Sequence, residues 1–279
     1  MNQIQILPYN IKEMNNPDFF TAKESRLAWY QTGTGKPLLI LHGWGSESKV
    51  MMPIAKKLAD IRTCYLLDLP GFGQSDNPPV AWSVDDYTDA VEEFIKAHFK
   101  NQTVDLFVHS FGARVAIKLL NRNNAGSTFD KIIFTGAAGL KPKRKANYYI
   151  RKYSAKILKM PFLILPNPLR EKGLNRLRKS VLWKKLGSSD YQQLTGIMRE
   201  TFVKTVTEYL DPLIPSIEHE ILLLWGENDS STPIDQAKRF EKNLKQSALI
   251  TIRGAGHYAF LEKPSEFIAI MRAYLEPKK

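Results

Sequence analysis

The chain has 279 residues, of which 43% are hydrophobic, and this length allows one large α/β domain or two ordinary domains. No apolar run is long enough to span a bilayer, and the first residues lack the basic and apolar regions of a signal peptide. The single cysteine, Cys64, excludes an intrachain disulfide, so we expect a cytoplasmic protein.

The positive charge is concentrated in one segment. The net charge is +12, and residues 141–212 contain 17 Lys and Arg against 5 Asp and Glu. The rest of the chain has equal numbers of basic and acidic residues. This surplus predicts a weak contact with an anionic surface, such as membrane head groups, or else a solvated face that has no specific partner. No aromatic–basic motif typical of nucleic-acid binding is present, so no nucleic acid is expected.

Apolar runs and helical periodicity alternate along most of the chain. The predicted strands cover residues 4–6, 27–31, 38–41, 63–67, 104–108, 131–135, 221–224 and 249–252. The predicted helices cover residues 50–59, 85–99, 113–120, 233–245 and 264–275. Ser83 is the expected N-cap of the second helix. This alternation predicts an α/β fold with a mostly parallel, doubly wound sheet of about eight strands flanked by helices.

Residues 141–212 interrupt this alternation. They contain no clear strand, and periodicity predicts helices at 148–158, 174–186 and 191–205. The expected separators are Pro161, Pro166, Pro168 and Gly187. We therefore predict that residues 141–212 form an inserted helical cap and that residues 1–140 and 213–279 form the core domain.

Ser110 stands between a buried strand and a helix, in the sequence Val108-His109-Ser110-Phe111-Gly112. An abrupt strand–helix turn leaves its central residue strained and exposed, with free N–H groups of the helix nearby. A nucleophilic serine needs this access and these donors. The alternative is an ordinary helix N-cap serine.

Two further candidates, Asp229 and His257, also follow predicted strands, where an open parallel sheet binds its ligands. A histidine can take the proton of a serine, and a carboxylate behind it fixes the tautomer. We therefore predict His257 as the base and Asp229 as its partner, with Glu227 as the competing carboxylate. The alternatives are that Asp229 caps the next helix and that His257 is an ordinary loop residue.

The loop His42-Gly43-Trp44-Gly45 is predicted to complete the site. We expect the backbone N–H groups of Trp44 and Phe111 to form an oxyanion hole, while their side chains line the substrate pocket. His42 and His109 are expected to be structural. No pair of histidines has the helical spacing of metal ligands, so no metal and no cofactor are expected.

Together these motifs resemble the α/β-hydrolase fold family, in its branch with a helical cap. The resemblance runs from Leu41-His42-Gly43-Trp44-Gly45 through Asp68-Leu69-Pro70-Gly71-Phe72-Gly73-Gln74-Ser75 and His109-Ser110-Phe111-Gly112 to Trp225-Gly226-Glu227-Asn228-Asp229 and Gly254-Ala255-Gly256-His257. In this family the Asp68 loop is structural, and the nucleophile, acid and histidine follow one another in this order. Val108 departs from the pattern, which has a glycine two residues before the serine.

The resemblance implies a carboxylesterase-like serine hydrolase that cleaves an ester or related acyl bond of a small molecule. A serine at position 110 argues against haloalkane dehalogenases and epoxide hydrolases, which resemble this chain but have an aspartate there. The alternatives are a C–C bond hydrolase or perhydrolase that uses the same three residues, and a binding protein without catalysis.

Overall fold

The computed structural model describes residues 16–100, 102–122, 128–143, 146–180 and 194–276. Its centre is one eight-stranded sheet with the strand order β1-β2-β4-β3-β5-β6-β7-β8. The strands are β1 (Asp18–Ala22), β2 (Ser25–Thr32), β3 (Lys36–Leu41), β4 (Arg62–Leu67), β5 (Val104–His109), β6 (Phe129–Thr135), β7 (Glu220–Gly226) and β8 (Gln246–Ile252). Strands β3 to β8 are parallel, whereas β2 is antiparallel to both of its neighbours, β1 and β4, at one side of the sheet.

Helices cover both faces of this sheet, as predicted. They are α1 (Ser48–Leu58), α2 (Val84–Phe99), α3 (Phe111–Arg122), α4 (Ala146–Leu163), α5 (Asn167–Lys179), α6 (Gly196–Thr207), α7 (Ile234–Asn243), α8 (Ala259–Glu262) and α9 (Pro264–Leu275). Ser83 caps α2 in a reciprocal capping box with Asp86. Nowhere in these described ranges is a helix long and apolar enough to cross a membrane.

Strand β3 shows why both faces must be covered. Its side chains alternate between two apolar clusters, because successive residues of a strand point to opposite faces. Leu39 and Leu41 join the cluster under α2 and α3, whereas Leu38 and Ile40 join the cluster under α1 and α9. A strand buried on both faces has a continuous apolar sequence, and the predicted doubly wound sheet is confirmed.

The first strand pair differs from the prediction. The strand predicted at residues 4–6 lies outside the described residues, and the sequence pattern does not predict β1. This strand is short and at an edge, and Phe19 is 46% exposed. Lys23 and Glu24 form its turn to β2, both with positive φ. Such turns usually contain Asn-Gly, so the local signal is absent.

The cap segment, residues 141–212, contains three helices in its described part, with boundaries that differ from the prediction. Pro161 does not separate helices but lies inside the last turn of α4. Helix α4 ends at Leu163. Pro166 is the N-cap of α5, and Pro168 lies in the first turn of that helix. Gly187 lies outside the described residues. The division of the chain into a core domain and a cap stays a prediction.

Candidate active site

Ser110 lies at the sharp turn between β5 and α3. Its φ is +49°, which is the left-handed region that serine rarely adopts. The Ser110 amide donates to the Thr135 carbonyl over 3.1 Å, and the Ser110 carbonyl accepts from the Ala138 amide over 3.0 Å. These bonds to the end of β6 hold the strained turn. The predicted strand–turn–helix at Ser110 is therefore present.

Val108, which departs from the family pattern, is accommodated inside the sheet. It is fully buried in β5, paired with Leu41 on one side and with Phe134 on the other. The close approach instead occurs at Gly112, where an added Cβ would lie 2.7 Å from the Leu41 carbonyl oxygen. The turn at Ser110 thus forms with valine two residues before it.

The three predicted site residues meet at the carboxyl ends of β5, β7 and β8. His257 Nε2 is 3.1 Å from Ser110 Oγ, and His257 Nδ1 is 2.8 Å from Asp229 Oδ2. The side chain of Asp229 is completely buried, whereas that of His257 is 16% exposed. The order of contacts is serine hydroxyl, imidazole and carboxylate, so a proton can pass from the serine to the ring.

The Asp229 carboxylate is held by its own loop. The amides of Ser231 and Thr232 both donate to Oδ1 over 2.8 Å, and the Thr232 hydroxyl donates to Oδ2 over 2.8 Å. Burial alone raises the pKa of Asp229, but the hydrogen bond and charge of His257 and the bonds from Thr232 outweigh it. The pKa of Asp229 therefore lies below its usual range, which keeps the carboxylate ionised.

This geometry excludes two alternative interpretations of the loop after β7. Asp229 does not cap α7, whose N-cap is Pro233 without a side-chain bond. Glu227 does not face His257; its carboxylate accepts the Gly254 amide over 3.0 Å. Of the two carboxylates, only that of Asp229 contacts the imidazole. Sequence reasoning missed Thr232, because the contact of its hydroxyl with the Asp229 carboxylate depends on the local fold of this loop.

The loop that carries His257 is fixed by Glu262, at the end of α8. The Glu262 carboxylate accepts the amides of Gly256 over 2.7 Å and of Tyr258 over 3.2 Å, on either side of His257. Gly226 lets the loops after β7 and β8 touch, because an added Cβ would lie 2.0 Å from the Gly256 carbonyl oxygen. Sequence reasoning missed Glu262, whose role depends on this local fold.

Gly136, just after β6, lies directly against the imidazole. Its φ is +52°, and an added Cβ would lie 3.0 Å from His257 Nδ1 and 3.3 Å from Asp229 Oδ2. Both the backbone conformation and the space require glycine here. Like Glu262, Gly136 contacts this site but was not singled out from the sequence.

The loop His42-Gly43-Trp44-Gly45 lies against the serine turn. An added Cβ at Gly43 would lie 3.1 Å from Ser110 Cβ, and the Gly112 amide donates to the His42 carbonyl over 3.1 Å. The N–H groups of Trp44 and Phe111 donate no hydrogen bond to another residue in the described part of the chain. The predicted oxyanion donors are therefore available beside the serine.

The side chains of the same two residues form an aromatic wall. The Trp44 ring lies 5.1 Å from Phe111, 4.9 Å from Phe72 and 5.2 Å from Phe202 of α6, measured between ring centroids. Phe111 is almost completely buried, whereas Trp44 is half-buried. The wall thus joins the loop after β3 to α6, and Trp44 and Phe202 are its partly exposed members.

Two further histidines near the site contact backbone groups and have lowered pKa values. His42 Nε2 accepts the Leu69 amide, and its Nδ1 lies 2.7 Å from the Gly43 carbonyl. His109 Nε2 lies 3.1 Å from the His257 carbonyl. Burial lowers the pKa of His42 and lowers that of His109 to about 3. Both are placed to hold loops together rather than to exchange protons.

A cleft of about 530 Å³ adjoins these loops. Its lining is mixed, with Gly45, Glu47, Val50, Phe72, Tyr258 and Leu261 among its residues. The Glu47 carboxylate makes no ion pair or hydrogen bond with another described residue. Gly45 and Tyr258 directly follow Trp44 and His257 in the chain, but Ser110, His257, Trp44 and Phe111 are not among the residues that line this cleft. It is large enough for part of a small molecule.

Known proteins share this architecture. A model of the alpha/beta hydrolase fold matches residues 36–264 of the chain. The AB hydrolase superfamily protein YisY of Bacillus subtilis is 27% identical over 251 residues, which cover 87% of this chain and 92% of YisY. The pimeloyl-(acyl-carrier protein) methyl ester esterase of Nitrosomonas europaea is 22% identical over 257 residues, covering 87% of this chain and 96% of that protein.

Among solved structures, the esterase EaEST from Exiguobacterium antarcticum is similar with a TM-score of 0.70 and 22% identity. The match covers 94% of this chain and 100% of that chain, which supports a shared fold. The family model spans most of the sheet and the loops that carry Ser110, Asp229 and His257. The chain therefore belongs to the α/β-hydrolase fold family.

Proposed function

We propose that the protein is a serine hydrolase that cleaves a carboxylic ester, or a related acyl bond, of a small molecule. The observation that carries this proposal is the connected series Ser110 Oγ, His257 and Asp229, with contacts of 3.1 and 2.8 Å. A relative named as a methyl ester esterase supports the choice of an ester. No metal or cofactor takes part in the proposed reaction.

The first half of the reaction acylates the serine. Ser110 Oγ attacks the carbonyl carbon of the ester while His257 Nε2 takes the hydroxyl proton. The resulting tetrahedral intermediate collapses, the bond to the alcohol oxygen breaks, and His257 returns the proton to the departing alkoxide. The products of this half are a free alcohol and an acyl-enzyme on Ser110.

The second half returns the enzyme to its starting state. A water molecule takes the place of the alcohol and attacks the acyl carbon as His257 accepts its proton. Collapse of the second intermediate releases the carboxylic acid, and the proton returns to Ser110 Oγ. Ionised Asp229 stabilises the imidazolium in both halves and keeps the Nδ1–H tautomer in place.

The developing negative charge on the substrate oxygen needs donors beside Ser110. The N–H groups of Trp44 and Phe111 serve this role in the proposal, because both are unused within the described residues and flank the serine. Glu47 lines the adjoining cleft and has no ion-pair partner among the described residues. Its negative charge would repel an anionic substrate, so a neutral ester suits this cleft better.

The proposal is tested with a fluorophosphonate probe and a panel of p-nitrophenyl esters. We expect the probe to label Ser110, and Ser110→Ala to lose both labelling and turnover by on the order of 10⁴-fold or more. Asp229→Asn is expected to lose a similar factor, and Glu227→Gln serves as its matched control with little change. An unlabelled wild-type protein that hydrolyses no ester would overturn the proposal, and so would a Glu227→Gln loss larger than that of Asp229→Asn.

A further inference from the structure

The first cap helix carries a row of exposed apolar side chains. Tyr153, Ile157 and Met160 follow one another on α4 at intervals of four and three residues, so they lie on one face of the helix. Ile164 continues the row just beyond its end. These four residues are 56, 65, 58 and 85% exposed, in chain order. An ordinary surface helix has its polar side chains on this face.

The opposite face of α4 is already packed. Helices α4 and α5 lie against each other, and Phe162 fills the space over Gly173, where an added Cβ would lie 2.3 Å from the ring. Leu174 of α5 is buried in the same region, at 7% exposure. The exposed row is therefore a second apolar face, which the described part of the chain leaves open to solvent.

We call this surface the outer cap face. It comprises the exposed apolar residues of α4, α5 and the turn between them, Tyr153, Ile157, Met160, Leu163, Ile164, Leu165 and Leu169. Contiguous apolar surfaces of this kind mark sites of interaction with proteins or membranes.

Helices α4 and α5 carry more than half of the basic residues of the segment 141–212. Residues 146–179 contain nine Lys and Arg but a single acidic residue, Glu171. Lys156, Lys172 and Arg176 are exposed and make no ion pair with another residue in the described ranges. The partner of the outer cap face must therefore offer both an apolar phase and negative charge.

We propose that the outer cap face docks onto the surface of an anionic phospholipid bilayer. The apolar row would enter the boundary between head groups and acyl chains, while the flanking basic side chains contact lipid phosphates. A bilayer supplies both chemistries in one plane. A second copy of the chain does not, because its residues outside 141–212 have as many basic as acidic side chains.

The proposal is independent of the hydrolase reaction, and it is tested without substrate. The full-length protein is sedimented with vesicles of phosphatidylcholine alone and with vesicles of equal parts phosphatidylcholine and phosphatidylglycerol. We expect binding to the anionic vesicles at low salt, little binding to the neutral vesicles, and a loss of binding at about 1 M salt, where the Debye length is about 3 Å.

Two sets of variants separate the apolar from the charged contribution. Ile157→Asp combined with Ile164→Asp is expected to weaken anionic-vesicle binding roughly tenfold or more, as is Lys156→Glu combined with Lys172→Glu. Val80→Asp is the matched control, since Val80 is 64% exposed but lies outside the cap segment. Far-UV circular dichroism and melting temperature verify that each variant is folded.

Any one of the following results would overturn the proposal. The wild-type protein could fail to bind anionic vesicles at low salt, or bind neutral vesicles equally well. The Ile157 and Ile164 double variant could bind as the wild-type protein does, or no more weakly than Val80→Asp. Sedimentation velocity without lipid could show a dimer that the double variant abolishes, which would assign the outer cap face to self-association.

Discussion

At the scale of single residues, the Thr232 hydroxyl decides how firmly Asp229 holds the base. It donates to Oδ2, the same oxygen that contacts His257, and it also lies 3.4 Å from His257 Nδ1. We expect Thr232→Val to lower kcat roughly tenfold, because a hydrogen bond to a charged group is worth about 1.5–3 kcal/mol. Steady-state kinetics with a p-nitrophenyl ester measure the change, and KM should stay constant.

Thr232→Ser is the control for this prediction, since it keeps the hydroxyl and removes only a methyl group. Its kcat should stay near that of the wild-type protein. Equal losses in the serine and valine variants would show that packing, and not the hydrogen bond, is what the site requires from Thr232.

The protonation of a single residue should also set the acid limb of the pH profile. Asp229 has a lowered pKa and stays ionised at mildly acidic pH, whereas His42 and His109 have lowered pKa values and stay neutral there. Only neutral His257 can accept the serine proton. We therefore expect kcat/KM to fall with unit slope on a logarithmic plot as the pH decreases, and a slope of two would contradict this assignment.

At the scale of elements, the turn after β6 sets the position of the imidazole. We expect Gly136→Ala to lower kcat at least tenfold, because the added methyl group would lie 3.0 Å from His257 Nδ1 in a turn with φ of +52°. Gly196→Ala is the matched control: Gly196 also has φ of +52°, but an added Cβ there meets no atom within 4 Å.

Both variants should lose similar stability, by about 1 kcal/mol or more, because alanine is strained at a positive φ. Urea unfolding measures this loss, and ester hydrolysis measures kcat. An equal fall of kcat in both variants would show that general destabilisation, and not displacement of His257, causes the loss.

The same elements explain which parts of the fold could be predicted. Strands buried on both faces, such as β3 and β5, have continuous apolar sequences, and the strand–turn–helix at Ser110 is a local pattern. Gly136 and Glu262 were missed because they act on His257 through contacts that exist only once β6, β8 and α8 are assembled. Pro161 was predicted to separate two helices because proline lacks the N–H that a helix needs, yet α4 continues past it to Leu163.

At the scale of the whole molecule, an ion cluster lies at the end of the sheet opposite to the site. Asp105, at the start of β5, is completely buried and contacts Arg62 Nε and Lys36 Nζ, each over 2.7 Å. Arg62 in turn donates to the carbonyl of Leu275 at the end of α9. The cluster therefore ties the central strands to the last helix.

We expect Asp105→Ala to lower the free energy of unfolding by about 3–5 kcal/mol, because it leaves the buried Arg62 charge without its carboxylate partner. Asp130→Ala is the control; Asp130 also pairs with Lys36, but its side chain is 55% exposed, so the loss should stay below about 1 kcal/mol. Urea unfolding measures both, and equal losses would mean that burial does not set the cost.

The left-handed conformation of Ser110 bears on how the chain was selected. Glycine adopts a φ of +49° without strain, whereas any side chain at this turn costs stability. A chain selected only for stability would therefore have glycine at position 110. Serine therefore lowers the folding stability at this position, and natural proteins retain such destabilising residues where activity requires them. Lys23 and Glu24 adopt the same conformation in the turn between β1 and β2. What distinguishes Ser110 is that its strained turn also places the hydroxyl 3.1 Å from His257 Nε2.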